Sequence, residues 1–327
     1  MNAGNVSLTI PSELLSNLSG LVPADQLEGS TMKLSVVPVD STQPSLWIAS
    51  AGQESGASLQ AGSDLLKLNL SITTKDGKVY ELSELNKLIT IALPVSSEMN
   101  PKLSGIYSLD SAGNLKYIGG ILANGVLTAE INDLQSVYVV LEYDKIFNDT
   151  AAHWASEVIR ELTAKHIING ISSSEFAPNQ PITRAEMVAM LVRLLDLKGS
   201  GQSLFKDVPA DKWYTEAVSA AVQAGIIQGV DETSFAPDAP IKRQEAAAMI
   251  IRAYMAAGGQ LNSAAGKVPF SDIVDSPVWV QDAVGAAYAN GLIQGQSQHS
   301  FNPEGAATRA ESAQILYNIM SKLLIGR

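Results

Sequence analysis

The chain has 327 residues and a formal net charge of −11, a length that allows two or three domains with well-buried cores. Hydrophobic residues make up 46% of it and charged residues 17%, which is typical of a globular and not of a disordered protein. The acidic balance argues against nucleic acid as a partner, because phosphate binding needs a basic surface. The absence of cysteine excludes disulfides, thiolate catalysis and cysteine–metal sites.

The sequence contains no apolar run long enough to cross a bilayer, so we expect no membrane insertion. The opening residues Met1 to Gly4 lack the basic and apolar regions of a signal peptide. If the protein is exported, we therefore expect this chain to be an excised segment or the mature part of a longer protein.

The composition changes near residue 146. All seven arginines follow this point, whereas the first part has eight lysines and no arginine. The first part consists of short apolar or alternating runs separated by turn signals such as Lys75 to Lys78. This pattern predicts a β-rich, sandwich-like domain over residues 1–145. We interpret this domain as a spacer, and the alternatives are a carbohydrate-binding module and a scaffold domain that joins the rest of the chain to upstream cargo. The predicted strands are Val6–Ile10, Met32–Val39, Leu65–Thr73, Leu88–Leu93, Gly105–Leu109 and Val137–Leu141, and Pro11–Leu15 is a predicted short helix.

The second part contains one pattern three times, and from the tryptophan of each unit onwards its spacings are identical, which chance does not explain. Each unit opens with Phe-x-Asp, and a tryptophan and then a glycine follow. A phenylalanine with a proline close behind it comes next, and the unit continues with an arginine and a glutamate. The repeated residues are Asp149, Asp207 and Asp272; Trp154, Trp213 and Trp279; Gly170, Gly229 and Gly295; Phe176, Phe235 and Phe301; Arg184, Arg243 and Arg309; and Glu186, Glu245 and Glu311.

Each unit is predicted to form a helix, a loop and a second helix. Apolar residues at helical spacing precede the repeated glycine, which we interpret as a left-handed residue that ends the first helix. The second helix of the first unit begins at Thr183, and Glu186 completes a capping box. The middle unit has Lys242 in place of the threonine. The predicted units are residues 146–198, 204–257 and 269–324.

These motifs resemble those of the S-layer homology domain, which has a Phe-x-Asp opening, a tryptophan, a Gly-Ile-Ile-x-Gly-like turn and a Thr-Arg-Ala-Glu helix start. Gly225–Gly229 and Gly291–Gly295 match the turn, whereas the first unit has His166 as its leading residue. The resemblance implies an α+β multidomain chain in which the β-sandwich-like domain precedes an all-α, pseudo-threefold trimer of helix–loop–helix repeats.

The resemblance also implies a role and a location. Proteins of this family bind an acidic secondary cell-wall polysaccharide, often through a pyruvate ketal, in grooves between the repeats. We therefore expect an extracellular protein at a Gram-positive-type cell wall or S-layer surface, held there non-covalently, with an upstream cargo domain in the full-length protein.

The motif arginines are candidates for contact with a carboxylate. A cation in the first turn of a helix opposes the helix dipole, which makes it mildly unfavourable unless an anion is held there. Arginine together with exposed backbone N–H groups would form such an anion site. The alternative is an ion pair with an acidic residue of a neighbouring unit, such as Asp149, Asp207 or Asp272. The motif threonine and glutamate are explained by helix capping alone.

The other repeated residues each leave two interpretations open. The tryptophans can stack on a sugar ring or pack against the helix start. The glycines can line a groove besides ending a helix. The aspartates can accept hydrogen bonds from sugar hydroxyls or stabilise a turn. The predicted ligand-binding residues are Arg184, Arg243, Arg309, Trp154, Trp213, Trp279, Gly170, Gly229, Gly295, Asp149, Asp207 and Asp272.

No arrangement of residues predicts catalysis or a cofactor. His153, His166 and His299 occupy different positions of the repeat and have no metal-ligand spacing. We therefore expect a protein that is not an enzyme, with no cofactor. Two alternatives stay open at this point: a module for protein–protein assembly of an S-layer lattice, and an anchor attached to a carbohydrate-active enzyme that lies mostly upstream.

Overall fold

A computed structural model describes residues 2–3, 6–9, 11, 22–82, 84–262 and 268–325. The chain divides into two compact units, Met1–Ile146 and Phe147–Arg327. Residues 12–15 of the predicted short helix lie outside the described residues.

The first unit is built of antiparallel strands, so the prediction of a β-rich first part is confirmed. Five strands form one sheet in the order β1-β2-β7-β11-β10. The other sheet has the path β3-β5-β12-β8-β9, with β4 beside β12 and β6 beside β5. The elements are β1 (Asn2–Ala3), β2 (Val6–Thr9), α1 (Ala24–Leu27), β3 (Thr31–Pro38), α2 (Thr42–Ser55), β4 (Ser58–Ala61), β5 (Leu66–Thr73), β6 (Val79–Leu82), β7 (Glu84–Pro94), β8 (Ser104–Leu109), β9 (Leu115–Gly119), β10 (Ile121–Ala123), β11 (Val126–Asp133) and β12 (Val137–Asp144).

The two sheets share one hydrophobic core. Alternation along β5 buries Leu66, Leu68 and Leu70 and leaves the residues between them exposed, as expected for a strand with one buried face. These leucines belong to the same core cluster as Ile91 and Leu93 of β7, which lies in the other sheet. Core contacts between the inner faces of two sheets are the defining feature of sandwich packing.

The sequence analysis missed the helix α2. Its start is fixed by Asp40, whose carboxylate accepts the N–H of Thr42 at 2.8 Å. It ends at Gly56, which has a φ of 67° and therefore adopts the left-handed conformation that glycine tolerates best. The helix packs against β4 and β9, and Trp47 lies beside Gly113.

The second unit is helical, and each repeat contributes two helices as predicted. The first helices are α3 (Ser156–Ala164), α5 (Thr215–Gln223) and α7 (Val278–Ala289), with a short 3-10 helix at Ser271–Ile273. The second helices are α4 (Arg184–Leu194), α6 (Arg243–Ala256) and α8 (Arg309–Ile325). Within the described part of the chain, no helix combines the length and the apolarity that spanning a bilayer requires.

The capping boxes that were predicted at the second helices are present. At α4 the hydroxyl of Thr183 accepts the N–H of Glu186, and the carboxylate of Glu186 accepts the N–H of Thr183 at 2.9 Å. At α6 the glutamate alone performs this function, since Glu245 accepts the N–H of Lys242 at 3.0 Å. These bonds satisfy N–H groups that a helix start otherwise leaves without partners.

A closed cycle of backbone hydrogen bonds joins the segments that precede the second helices. Ile182 donates its N–H to the carbonyl of Ala307 at 2.9 Å, Ala307 donates to Ile241 at 3.0 Å, and Ile241 donates back to Ile182 at 3.0 Å. All three residues are buried. Every repeat is therefore bonded to both of the others at this point.

The interpretation of the repeated glycines as left-handed helix ends was wrong. Positive φ angles occur four residues earlier, at His166 (53°), Gly225 (69°) and Gly291 (66°). Gly170 instead lies where the backbone is crowded. A Cβ atom on Gly170 would lie 2.4 Å from the ring of Phe147, and Gly229 and Gly295 are crowded in the same way. Glycine is required there because no side chain fits.

Candidate functional site

The motif arginines connect each repeat to the next. Their side chains are buried, with relative exposures of 4% for Arg184, 6% for Arg243 and 4% for Arg309. In each case the Nε–H donates to the carbonyl of the repeated phenylalanine in the next repeat: Arg184 to Phe235 at 2.8 Å, Arg243 to Phe301 at 2.7 Å and Arg309 to Phe176 at 2.8 Å. The arginine of the last repeat thus reaches the first.

Each of these guanidinium groups also forms an ion pair with the motif glutamate of the next repeat. The N–O distances are 2.6 Å for Arg243–Glu311, 2.9 Å for Arg309–Glu186 and 3.4 Å for Arg184–Glu245. The partner is the capping glutamate and not one of the three aspartates that the sequence analysis suggested. Burial lowers the pKa of each arginine from its usual value, and the neighbouring carboxylate acts in the opposite direction.

The backbone N–H groups at the start of the second helices are already hydrogen-bonded. The N–H of Arg184 donates to the carbonyl of Ala239 at 3.0 Å, and that of Ala185 donates to Pro237 at 2.9 Å. The loops of the other two repeats bind α6 and α8 in the same way. The expectation of exposed N–H groups beside the arginines was therefore wrong, because the next repeat covers these helix ends.

The repeated aspartates organise the loop of their own repeat. Asp149 accepts the N–H groups of Phe176 at 2.9 Å and Ala177 at 2.7 Å. Ala177 has a φ of 60°, and these bonds hold the left-handed turn that a residue other than glycine adopts at some cost. Asp207 and Asp272 make the corresponding bonds.

A groove of the second unit has a volume of about 540 Å³ and is formed by all three repeats. Trp154 comes from the first repeat, Arg243 from the second, and Gly295 and Glu311 from the third. The wall also carries four side-chain amides, which provide both donors and acceptors of hydrogen bonds. They belong to Gln294, Gln296, Gln314 and Asn318.

A second groove of about 160 Å³ repeats this arrangement with the roles of the repeats exchanged. Here Trp213 comes from the second repeat, Arg309 from the third, and Gly170 and Glu186 from the first. Its wall differs in chemistry, because Ile171, Ala189 and Arg193 stand where the first groove has Gln296, Gln314 and Asn318. We refer to the two as the amide groove and the arginine groove.

The residues equivalent to those of the two grooves are Arg184, Gly229, Glu245 and Trp279. Arg184 donates to the carbonyl of Gln228, the residue before Gly229, at 3.4 Å and pairs with Glu245. The helix α7 carries Trp279 and packs against α6. By the equivalence of the repeats they make up a third set of a motif arginine, a tryptophan and a glycine from three different repeats, whereas the three aspartates line neither of the two grooves.

The three tryptophans are exposed. Their relative exposures are 62% for Trp154, 62% for Trp213 and 48% for Trp279. Trp154 and Trp213 each line a groove. An exposed aromatic face beside hydrogen-bonding groups is suited to stacking on an amphipathic ligand.

Sequence reasoning missed Arg193 and the amides of the larger groove. The spacing provided a signal, since Arg193 lies nine residues after the motif arginine Arg184, and Arg252 follows Arg243 at the same distance. The amides had no such signal, because only the folding of the third repeat brings Gln294 and Gln296 beside Gln314 and Asn318 of α8.

The fold and the grooves define a helical-repeat module in which three repeats interlock through arginine and glutamate. Comparison with known families agrees with this description: the S-layer homology domain matches residues 146–188, 204–247 and 269–313. The chain therefore carries three S-layer homology repeats in its second unit.

Several characterised proteins share this region. The chain is 35% identical over 242 residues to an amylopullulanase of Thermoanaerobacterium thermosulfurigenes, which covers 73% of this chain and 13% of that protein. It is 33% identical over 228 residues to the exoglucanase XynX of Acetivibrio thermocellus, covering 69% of this chain and 20% of the relative. It is 29% identical over 204 residues to the surface-layer 125 kDa protein of Lysinibacillus sphaericus, covering 61% and 16%.

The chain spans at most a fifth of the length of these relatives. The enzyme names therefore describe proteins of which this region is a small part. The repeats, together with the surface-layer relatives, show that this protein is located extracellularly, at the cell wall or S-layer surface.

Proposed function

We propose that the second unit anchors the protein to the cell wall by non-covalent binding of an acidic secondary cell-wall polysaccharide. The polymer binds in the grooves between the pseudo-threefold repeats, and a pyruvate ketal supplies its carboxylate. The observation that carries this proposal is the composition of the grooves. In the amide groove, an exposed tryptophan, a motif arginine and a crowded glycine come from three different repeats.

The predicted ligand residues contribute in different ways. The tryptophan forms an open wall on which one face of a sugar ring stacks. The glycine lets the backbone of the groove approach the sugar closely. A guanidinium has five N–H donors, of which the bonds to the next repeat use three. The others are the proposed donors to the ligand. Both oxygens of each aspartate already accept backbone N–H groups, so sugar contact by Asp149, Asp207 and Asp272 would use their remaining lone pairs.

Three sets of residues on one chain suit a repetitive polymer. Once one groove has bound, the others face neighbouring sugar units at a high effective concentration, so retention exceeds the affinity of any single groove. In the same proposal the first unit is a spacer, and the full-length protein carries upstream cargo that the repeats hold at the surface.

The test is co-sedimentation with purified sacculi that carry their secondary polysaccharide and with sacculi from which it has been removed. The decisive variant is Trp154→Ala, Trp213→Ala, Trp279→Ala, because these side chains are exposed and we expect the fold to tolerate their removal. We expect wild type to sediment only with polymer-bearing sacculi, and the triple variant to bind at least about tenfold more weakly.

A matched control removes exposed apolar side chains outside the grooves. Leu46, Leu204 and Val274 have relative exposures of 62%, 81% and 64%, and their triple alanine variant should sediment like wild type. Equal sedimentation of wild type with both kinds of sacculi contradicts the proposal. Concentration-dependent oligomers without glycan would favour lattice assembly instead.

A further inference from the structure

The residue nine positions after the motif arginine lies on the wall of the grooves. In α4 this residue is Arg193, which lines the arginine groove. In α8 it is Asn318, which lines the amide groove. The equivalent residue of α6 is Arg252. Since the three second helices are equivalent, Arg252 takes this place in the third set, with Arg184 and Trp279.

Arg193 and Arg252 differ from the motif arginines in having no bonded partner. Among the described residues, neither guanidinium forms a hydrogen bond or an ion pair. Arg193 is exposed and Arg252 is half-buried. Each motif arginine, by contrast, is buried and paired with a glutamate. Of these five arginines, Arg193 and Arg252 are therefore the ones whose positive charge no carboxylate among the described residues compensates.

The charges of the groove walls follow from this difference. In the amide groove, Arg243 and Glu311 balance each other, and no other lining residue is charged. The arginine groove contains Arg309, Glu186 and Arg193, which leaves one positive charge. A sugar carboxylate placed beside Glu186 would be repelled without this second cation.

We infer that Arg193 and Arg252 recognise the carboxylate of the bound glycan, and that the amide groove at Asn318 accepts its sugar units regardless of charge. This inference rests on the proposed function and identifies the residues that recognise the negative charge of the glycan. The motif arginines hold the repeats together and donate hydrogen bonds, but their charge is compensated. A free guanidinium can form the paired, charge-assisted hydrogen bonds that a carboxylate accepts.

The test compares two forms of one ligand, the secondary polysaccharide released from sacculi in its native form and in its methyl-esterified form. Binding of both forms to the full chain is measured by calorimetry at fixed salt concentration. We expect wild type to prefer the native form by about tenfold. Arg193→Asn, Arg252→Asn should abolish this preference and still bind the ester, whereas Asn318→Arg should increase the preference.

The control Lys33→Asn, Lys67→Asn removes the same number of positive charges from exposed positions of the first unit. It should keep the preference of wild type, because the preference depends on charged residues in the grooves and not on the net charge of the protein. The inference is overturned if the double arginine variant still prefers the native form, or if wild type binds both forms equally. Loss of sedimentation in the tryptophan variant would then still support the proposed function, whereas binding of neither form by wild type refutes both.

Discussion

Arg309 and Glu186 form an ion pair with an N–O distance of 2.9 Å that joins the last repeat to the first. The same glutamate accepts the N–H of Thr183 through its other oxygen at 2.9 Å. One carboxylate therefore caps its own helix and closes the set of contacts between repeats. The stability of the helix start and the docking of the repeats depend on each other for this reason.

Replacing a motif arginine should destabilise the whole second unit. Arg243→Ala removes three hydrogen bonds and leaves Glu311, itself only 23% exposed, without its ion-pair partner. We expect the free energy of unfolding to fall by about 3 kcal/mol or more. Urea unfolding followed by circular dichroism measures this change.

The control for this experiment is the exposed pair Lys198–Asp196. Lys198→Ala should lower the free energy of unfolding by less than about 1 kcal/mol, since exposed ion pairs contribute little. If Arg243→Ala were as stable as this control, the contacts between repeats would not have the role described above.

Adding one methyl group at a repeated glycine should also be costly. The Cβ of Gly295→Ala would lie 2.4 Å from the ring of Phe270 and 2.5 Å from the carbonyl oxygen of Ser297. The surrounding backbone must shift, which we expect to cost about 2–3 kcal/mol and to narrow the amide groove. Thermal unfolding and sedimentation with sacculi would detect the two effects.

Gly258→Ala separates crowding from backbone strain. Gly258 has a φ of 85° with open space around its Cα, so alanine there should cost about 1 kcal/mol and leave binding unchanged. A Gly295→Ala variant that is no less stable than this control would show that crowding does not explain the repeated glycine.

The sequence predicted the helices of the repeats because their signals are local. The capping box at Thr183 and the apolar spacing of each helix depend on residues close in the chain. The helix α2 also had local signals, with Pro44 in its first turn and Gly56 at its end. It was missed because we interpreted the first part as strands throughout.

The environment of the motif arginines could not be predicted in this way. Arg309 bonds to Phe176 and Asn169, which precede it by more than a hundred residues. Spacing within one repeat does not show that a neighbour will cover the helix start and supply carbonyl groups there. The crowding at Gly170 arises within its own repeat, where the chain folds so that the ring of Phe147 lies against this glycine.

His166 should make stability depend on pH. Burial lowers its pKa from 6.5 to about 4, so the unfolded chain binds a proton between these pH values and the folded chain does not. Stability is therefore lost as the pH falls from about 6.5 to about 4, on the order of 1–2 kcal/mol after allowance for partial exposure. His166→Gly should remove this part of the decline.

Glycine is the natural replacement because the equivalent residues Gly225 and Gly291 share the positive φ of His166. The measurement is urea unfolding of wild type and His166→Gly at a series of pH values. His299→Ala serves as a control with one exposed histidine fewer, and it should keep the decline because His166 is retained. Parallel curves for wild type and His166→Gly would contradict the expected proton linkage.

Binding to the acidic polymer should depend only partly on salt. The protein itself has a net charge of −11, so long-range attraction does not bring the two together. The proposed contacts to the arginines are direct, and the tryptophan contacts are uncharged. Both are screened less than charges separated by more than the Debye length, which is about 10 Å at 0.1 M salt. We expect the fraction bound to sacculi to fall only severalfold between about 0.05 M and about 0.5 M sodium chloride. Complete release of a protein that circular dichroism shows to be folded would mean that diffuse charge attraction holds it, and the grooves would then not be the binding site.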